Sequence, residues 1–241
     1  MYTWSPFSYI VINLARQIRA NEVTFSGVNS TLPMLACVLA KRAYDFHFTW
    51  INVAGGVEPQ PTTIPHSSSD PGIVTGSAAI FSNQDFYDLC ARGGIGLVYL
   101  GCAQIDGEGR TNVSSIGPWE KPKVRLPGGG GAAVMLPTAQ RVATWRTEHS
   151  PRALVDKLDF VTASGNLAAL VTPLAVFQRT TGRFRLESWH PDASLEEVVA
   201  RTGFQFDTAG AGPTPPPTAS ETAALRAIDA DGAFEAEAAI K

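Results

Sequence analysis

Apolar residues recur at Phe7, Ile10, Val11, Leu14 and Ile18 around the polar Asn13, Arg16 and Gln17, a helical spacing. It predicts an amphipathic, core-facing helix over about Phe7 to Ala20. Glu22 to Gly27 reads as a short strand closed by glycine, and Pro33 suits the first turn of a helix running to about Ala43. His47 to Val53 is a second strand. Gly55-Gly56-Val57-Glu58-Pro59-Gln60-Pro61 is expected to be a loop, since two glycines and two prolines oppose regular pairing. Strand ends that open into glycine loops are where open α/β sheets bind ligands.

Helix and strand alternate again from Asn83 to Ala91 and from Ile95 to Gly101, the latter apolar enough to be covered on both faces. Asp106-Gly107-Glu108-Gly109 has tight-turn chemistry, and Thr111 to Ile116 could return as an edge strand. Pro127-Gly128-Gly129-Gly130-Gly131-Ala132-Ala133 has no side chains over four residues, so the chain either folds very tightly there or lets something approach its backbone. Val142 to Thr147, Leu158 to Thr162, Leu170 to Gln178 and Phe184 to Trp189 are further strand candidates. Ser194-Leu195-Glu196-Glu197 opens a helix that ends at Gly203, with serine as N-cap and glutamates in the positive first turn. The expected organisation is one α/β domain over 1–207, with an open, mostly parallel sheet flanked by helices. A Pro/Gly-rich linker over 208–219 and a C-terminal helix and tail over 220–241 follow, the last residues expected to fray.

Composition narrows the function classes. With 241 residues, 44% hydrophobic and 17% charged, the chain can bury a full core. Its formal charge of −3 offers no basic face for a polyanion, which argues against nucleic acid as a partner. Met1 to Pro6 lacks the features of a secretory leader and no apolar run reaches membrane-span length, so no membrane and a cytoplasmic location are expected. Cys37, Cys90 and Cys102 are scattered, as are His47, His66, His149 and His190. That pattern suits buried thiols and predicts no metal site.

Several motifs in order resemble the β-type subunits of class I CoA-transferases, glutaconate CoA-transferase and its relatives. They are Gly101-Cys102-Ala103-Gln104-Ile105-Asp106 with Gly107-Glu108-Gly109-Arg110-Thr111-Asn112, Lys121-Pro-Lys-Val-Arg-Leu-Pro127 with the glycines behind it, Asp159-Phe160-Val161-Thr162, Val171-Thr172-Pro173-Leu174, and His190-Pro191 before Thr202-Gly203-Phe204. The resemblance covers most of the chain. It implies the open α/β fold shared with some sugar-phosphate isomerases, an α-type partner subunit in an α2β2 assembly, and an acyl-CoA substrate. Coenzyme A would enter as part of that substrate, with no resident cofactor.

The family's nucleophile is a glutamate in a segment after the second strand. The corresponding segment here is Asn52-Val53-Ala54-Gly55-Gly56-Val57-Glu58-Pro59, and the glutamate position holds Val53. Valine can be neither nucleophile nor base. Glu58, before proline, reads as a loop or capping carboxylate. The resemblance extends to relatives that changed reaction, a methylglutaconyl-CoA decarboxylase and ring-opening hydrolases of steroid breakdown. It therefore implies a pocket for a CoA thioester of a dicarboxylic or keto acid, repurposed for carbon–carbon cleavage.

The residues expected at that pocket are Asn52, Val53, Ala54, Gly55, Gly101, Cys102, Gln104 and the loop Gly128, Gly129, Gly130 and Gly131. Backbone N–H groups of that loop, or around Ala54 to Gly56, are the candidate oxyanion donors. Three other readings stand beside this one: a catalytically silent partner subunit, a shifted alignment of the segment or an authentic transferase with Cys102 as substitute nucleophile, and an effector-binding domain of a regulator. The last lacks a basic helix-turn-helix segment. Lys121, Lys123 and Arg125 could meet CoA phosphates or the partner, or form a solvated edge. Gln104 could donate to a thioester, or be buried against backbone. No Lys-Ser or Lys-Thr pair follows the glycine run, so a nucleoside-triphosphate site is not supported.

Overall fold

A computed structural model of the protein describes residues 5–180 and 182–240. Met1 to Trp4, where a leader would begin, lie outside the described residues. The chain divides into two compact units, residues 1–100 with 216–241, and residues 101–215.

The first unit starts with α1 (Pro6–Ala15), whose N-cap Ser5 accepts a hydrogen bond from the Ser8 N–H while Pro6 presets the first turn. It is buried on every side from Phe7 to Ala15, Ser8 and Asn13 included, rather than amphipathic. Asn13 is satisfied within the helix, its Nδ2 donating to the Tyr9 carbonyl at 2.9 Å. The helix ends five residues before the expected Ala20. The Ile18 N–H bonds to the Ala15 carbonyl in a tighter turn, and Asn21 takes a left-handed φ of 61°.

Then follow β1 (Val23–Ser26), α2 (Thr31–Ala43), β2 (Thr49–Asn52), β3 (Gly56–Val57), a 3-10 turn at Pro71–Val74, β4 (Ala79–Ile80), α3 (Asn83–Ala91) and β5 (Leu97–Gly101). The strands lie in the order β5-β1-β2-β3-β4. β1 is parallel to both β2 and β5, whereas β3 and β4 add antiparallel pairs. β3 lies inside the segment expected to be irregular. Gly55, at φ 98°, reverses the chain so that Val57 pairs with Ile51 ahead of the first proline. Leu97, Val98 and Tyr99 have no exposed surface, as the apolar run predicted.

The second unit begins with two small hairpins, β6 (Gln104–Ile105) with β7 (Thr111–Asn112) and β8 (Ser115–Ile116) with β9 (Val124–Arg125). The expected edge strand is thus split, the Asp106 to Gly109 turn closing the first hairpin. After them come α4 (Ala132–Thr138), β10 (Arg141–Trp145), β11 (Leu167–Val171), β12 (Ala175–Arg179), β13 (Phe184–Trp189), α5 (Leu195–Arg201) and β14 (Gly212–Pro213), with sheet order β10-β11-β12-β13-β14. The β10–β11 and β13–β14 pairs are parallel and the two between them antiparallel.

Three expectations are corrected in this unit. The single strand drawn over Leu170 to Gln178 is two, because Thr172 Oγ1 accepts from the Ala175 N–H at 3.0 Å and turns the chain at Pro173. Leu158 to Thr162 is not a strand: Asp159 is drawn to Gln104, and Phe160 stacks on Trp119 with ring centroids 4.5 Å apart. The segment 208–217 is extended but not a free linker, since Gly212–Pro213 pairs with β13 and Thr214 Oγ1 donates to Ser188 Oγ at 2.8 Å.

The chain then returns to the first unit as α6 (Ala219–Ile228) and α7 (Ala233–Ile240). Thr218 and Glu221 cap α6 reciprocally. The tail expected to fray is helical. The protein is an α/β fold, an open sheet with parallel central pairs and flanking helices. Among the described residues no helix is long and apolar enough to cross a membrane.

Candidate functional site

In the first unit β1 and β2 run parallel with Ser26 opposite Asn52, so both strands end side by side. After Ser26 the chain passes through Gly27, Val28 and Asn29, the last at a left-handed φ of 50°, and enters α2. Buried Ser68 shapes this turn: its Oγ donates to the Gly27 carbonyl at 3.0 Å and accepts from the Ser30 N–H at 2.9 Å. The Val53 N–H donates to the Ser26 carbonyl at 3.0 Å, which brings the second loop against the first.

Asn52, expected to bind substrate, is instead the pin of its own loop. It is 1% exposed, its Oδ1 accepts from the Gly56 N–H at 3.1 Å and its Nδ2 donates to the Ile73 carbonyl at 3.3 Å. Gly55 is equally structural, because a Cβ there would lie 2.7 Å from the Phe81 carbonyl oxygen. Glu58 keeps the role expected of it, its carboxylate accepting from the Trp50 N–H and from Lys41 Nζ. What the loops leave open is backbone. Among the described residues the N–H groups of Val28, Asn29 and Ala54 have no acceptor, and half-buried Val53 stands beside the last of them. A set of fixed, unpaired N–H donors at parallel strand ends can stabilise a developing oxyanion.

The second unit opens with Gly101, whose missing Cβ would touch the Trp145 indole at 3.5 Å. Cys102 is 6% exposed, with Sγ 3.5 Å from Thr144 Oγ1. Burial pushes the thiol up, against the smaller effects of Thr144 and Arg146, so the geometry makes it a core residue rather than a nucleophile. Gln104 is partly used. Its Nε2 donates to Asp159 Oδ2 at 3.1 Å and its Oε1 accepts from Asn112 Nδ2 at 2.7 Å, so one N–H and one lone pair of the amide are already engaged within the chain.

The glycine run lies apart in character. A Cβ at Gly128 or Gly130 would meet nothing within 4 Å, while one at Gly129 would press on Thr162 Cγ2 at 2.9 Å. The Gly128 N–H is bound to the Val113 carbonyl at 2.8 Å, and Gly131 caps α4. The run is therefore tied at both ends and open in the middle. Nearby, Trp119 is held between Phe160 and the Arg125 guanidinium, 4.3 Å from its ring centroid, and Lys121 and Lys123 are exposed.

Two features were not assembled from the sequence, although several of their residues lie in the motifs named above. One is a groove of about 700 Å³ whose walls include Ala103, Arg146 and Asp159. The other is a buried histidine pair. His149 Nδ1 lies 2.8 Å from Thr172 Oγ1 and its Nε2 3.0 Å from Thr202 Oγ1, while His190 bridges Thr214 Oγ1 and the Thr172 carbonyl. Burial first, then Arg201 and His190, pulls the His149 pKa down to about 4. The unfolded chain takes up this proton below pH 6.5 while the folded protein refuses it until about pH 4. Stability contributed by neutral His149 is therefore present above 6.5 and is lost as pH falls across that window, by roughly 3 kcal/mol. Denaturation curves between pH 7 and 4 should show the slope, and His149→Gln should flatten it. An identical slope in the variant would assign the acid sensitivity elsewhere. No group of three or more His, Cys, Asp or Glu among the described residues is placed to hold a metal.

A family model described as coenzyme A transferase matches residues 9–201. The chain is 30% identical to the B subunit of 3-oxoadipate CoA-transferase from Pseudomonas knackmussii, over 95% of each chain. It is 29% identical to the IpdB subunit of the cholesterol ring-cleaving hydrolase from Rhodococcus jostii, over 59% of this chain and 62% of that one. The solved structure of the decarboxylase AibA/AibB superposes with a TM-score of 0.89 at 33% identity, covering 96% of this chain and 98% of its counterpart.

Proposed function

We propose that this chain, which belongs to the coenzyme A transferase family, is the β-type subunit of an α2β2 enzyme. The enzyme would cleave a carbon–carbon bond in the CoA thioester of a dicarboxylic or keto acid. The observation that carries this is Val53, the residue that the resemblance aligns with the family's glutamate. An aliphatic side chain at the end of β2 cannot form the acyl anhydride or the enzyme thioester that transfer requires.

Decarboxylation of a CoA thioester whose free carboxylate is that of a β,γ-unsaturated acid, its double bond conjugated with the thioester, or of a β-keto acid needs little from the protein beyond what these loops offer. The electron pair of the breaking bond moves into the conjugated thioester, CO2 departs, and the enolate oxygen is met by fixed N–H donors. The open amide of Ala54 suits that task, and Val53 beside it keeps water from the leaving carboxylate. The 33% identity to a decarboxylase supports this chemistry. The hydrolase relative supports ring-opening hydrolysis as the second reading. That reaction needs a base for water, and Asn29, Ser30, Asn52 and Val53 at these strand ends supply none, so the partner subunit would have to.

The test is direct. Coexpressed with its α-type partner, the protein should not exchange CoA between an acyl-CoA and acetate, and should form no borohydride-sensitive enzyme thioester. It should release CO2 from a dicarboxylyl-CoA whose double bond is conjugated with the thioester and β,γ to the free carboxylate. Efficient exchange by the wild type would sink the proposal. Val53→Glu is the converse test, expected to bring back a trappable thioester.

A further inference from the structure

We propose that the groove of the 101–215 unit is a carboxylate-binding site in which Arg146 docks a carboxylate carried on a short carbon chain. Arg146 is the first residue beyond β10, held there by its N–H bond to the Val171 carbonyl at 3.0 Å. One arm of its guanidinium is anchored, Nη1 donating to the Cys102 carbonyl at 2.7 Å. The remaining donors are not used. Nε is buried without an acceptor, and Nη2 stands 4.0 Å from Glu148, beyond hydrogen-bond range. The side chain is 22% exposed and lines a groove of about 700 Å³. A guanidinium that is always charged, oriented by its Nη1 bond and without a hydrogen bond at Nη2, is arranged to receive a carboxylate there.

Glu148 Oε2 stands at ion-pair distance from Nη2, 4.0 Å, but neither it nor Asp159 hydrogen-bonds the guanidinium. Glu148 Oε1 accepts from Ser150 Oγ at 2.6 Å and from Arg152 at 3.1 Å, and Asp159 Oδ2 accepts from Gln104. The charges on the walls balance, Glu148, Asp156 and Asp159 against Arg146, Arg152 and Lys157. The ligand class is therefore set by shape: a carboxylate on a stem can pair with Arg146 and pack that stem on apolar surface, which inorganic phosphate cannot. Ala103, Ile116 and Val155 give the groove an apolar wall for a methylene stem. The carboxylate could be the free end of an acyl-CoA or belong to a free dicarboxylic acid. The site does not depend on the reaction proposed above.

Glutarate titrated calorimetrically into the complex with the α-type partner is the probe, with glutaramide and inorganic phosphate beside it. Glutarate should bind the wild type, and the other two should not. Arg146→Gln should weaken glutarate about 10- to 100-fold, the range for losing hydrogen bonds to a charged group, and Arg146→Lys should weaken it less. Arg146→Gln also frees the Cys102 carbonyl and could unsettle the fold. Ala103→Phe therefore fills the groove while leaving the Arg146 anchor in place, and should weaken glutarate too. If the carboxylate is that of an acyl-CoA, glutarate competes with glutaryl-CoA, and Arg146→Gln weakens glutaryl-CoA but not butyryl-CoA. If it is a free acid, glutarate binds without competing. No glutarate binding to the wild type, equal binding of glutaramide or phosphate, or affinity unchanged in both variants would overturn the proposal.

Discussion

Replacing Glu221 by alanine should lower the unfolding free energy by about 3–5 kcal/mol, the cost of leaving a buried charge without its partner. For a chain of this size that corresponds to a melting temperature lower by roughly 10 °C. Glu221 is 2% exposed and gathers four bonds: two at 2.8 Å from Arg16, one at 2.9 Å from Tyr44 and one at 2.8 Å from the Thr218 N–H. It thus caps α6 while tying that helix to α1 and to the end of α2. Burial pushes its carboxyl up, but Arg16, the Thr218 N–H and Tyr44 outweigh that and hold it below the usual range. Its stabilising effect is therefore present above about pH 4.5 and is lost as pH falls through the lower folded value. Thermal and urea melts of Glu221→Ala and Glu221→Gln would measure this. The exposed pair Glu197–Arg201 serves as control, since its loss should cost under about 0.5 kcal/mol. A Glu221→Ala variant that melts with the wild type would mean that these four bonds contribute no net stability.

Gly165→Ala should cost about 3 kcal/mol or more, because the added methyl has nowhere to go. Its Cβ would lie 2.3 Å from the Leu136 carbonyl oxygen and 2.7 Å from Pro137 N, both backbone atoms at the end of α4. The same approach lets the Asn166 N–H bond the Leu136 carbonyl at 2.8 Å, and Asn166 Nδ2 bond the Ala139 carbonyl at 2.8 Å. A methyl there must push α4 away and disturb the glycine run that leads into it. Amide hydrogen exchange should show the loss of protection concentrated in α4 and in 128–131. Gly130→Ala is the contrast. Nothing lies within 4 Å, so only its left-handed φ of 50° is penalised, at about 1–2 kcal/mol. Equal costs at the two positions would refute the close-packing argument.

The elements that were legible in advance are those whose patterns are local. β1, α2, β2, α3, β5, β13 and α5 lie close to where alternation, helical spacing, capping serines and glycine stops put them. The family could be recognised for a related reason: its motifs sit in turns and strand ends, where each position demands a particular residue type. The identity of Val53 is likewise a fact of the sequence, while its match to the family's glutamate rests on the resemblance of the segment Asn52 to Pro59.

Other features depend on partners far along the chain. Nothing near Asn52 or Gln104 says that one is engaged by Ile73 and Gly56 and the other by Asn112 and Asp159. Both looked available because an amide side chain reads the same whether bound or free. Thr172 splits one apolar run into two strands through a bond of its own side chain, which hydrophobicity does not register. Residues 208–217, too poor in apolar side chains to make a core, are held by the edge of β13 and by Thr214.

Sequence by itself therefore determined the fold class and the family, because these follow from local pattern and residue identity. Tertiary structure alone decided which donors remain without an acceptor among the described residues: the amides of Val28, Asn29 and Ala54, and the Nε of Arg146. Whether a donor is free is a property of everything packed around it, and no stretch of sequence contains that.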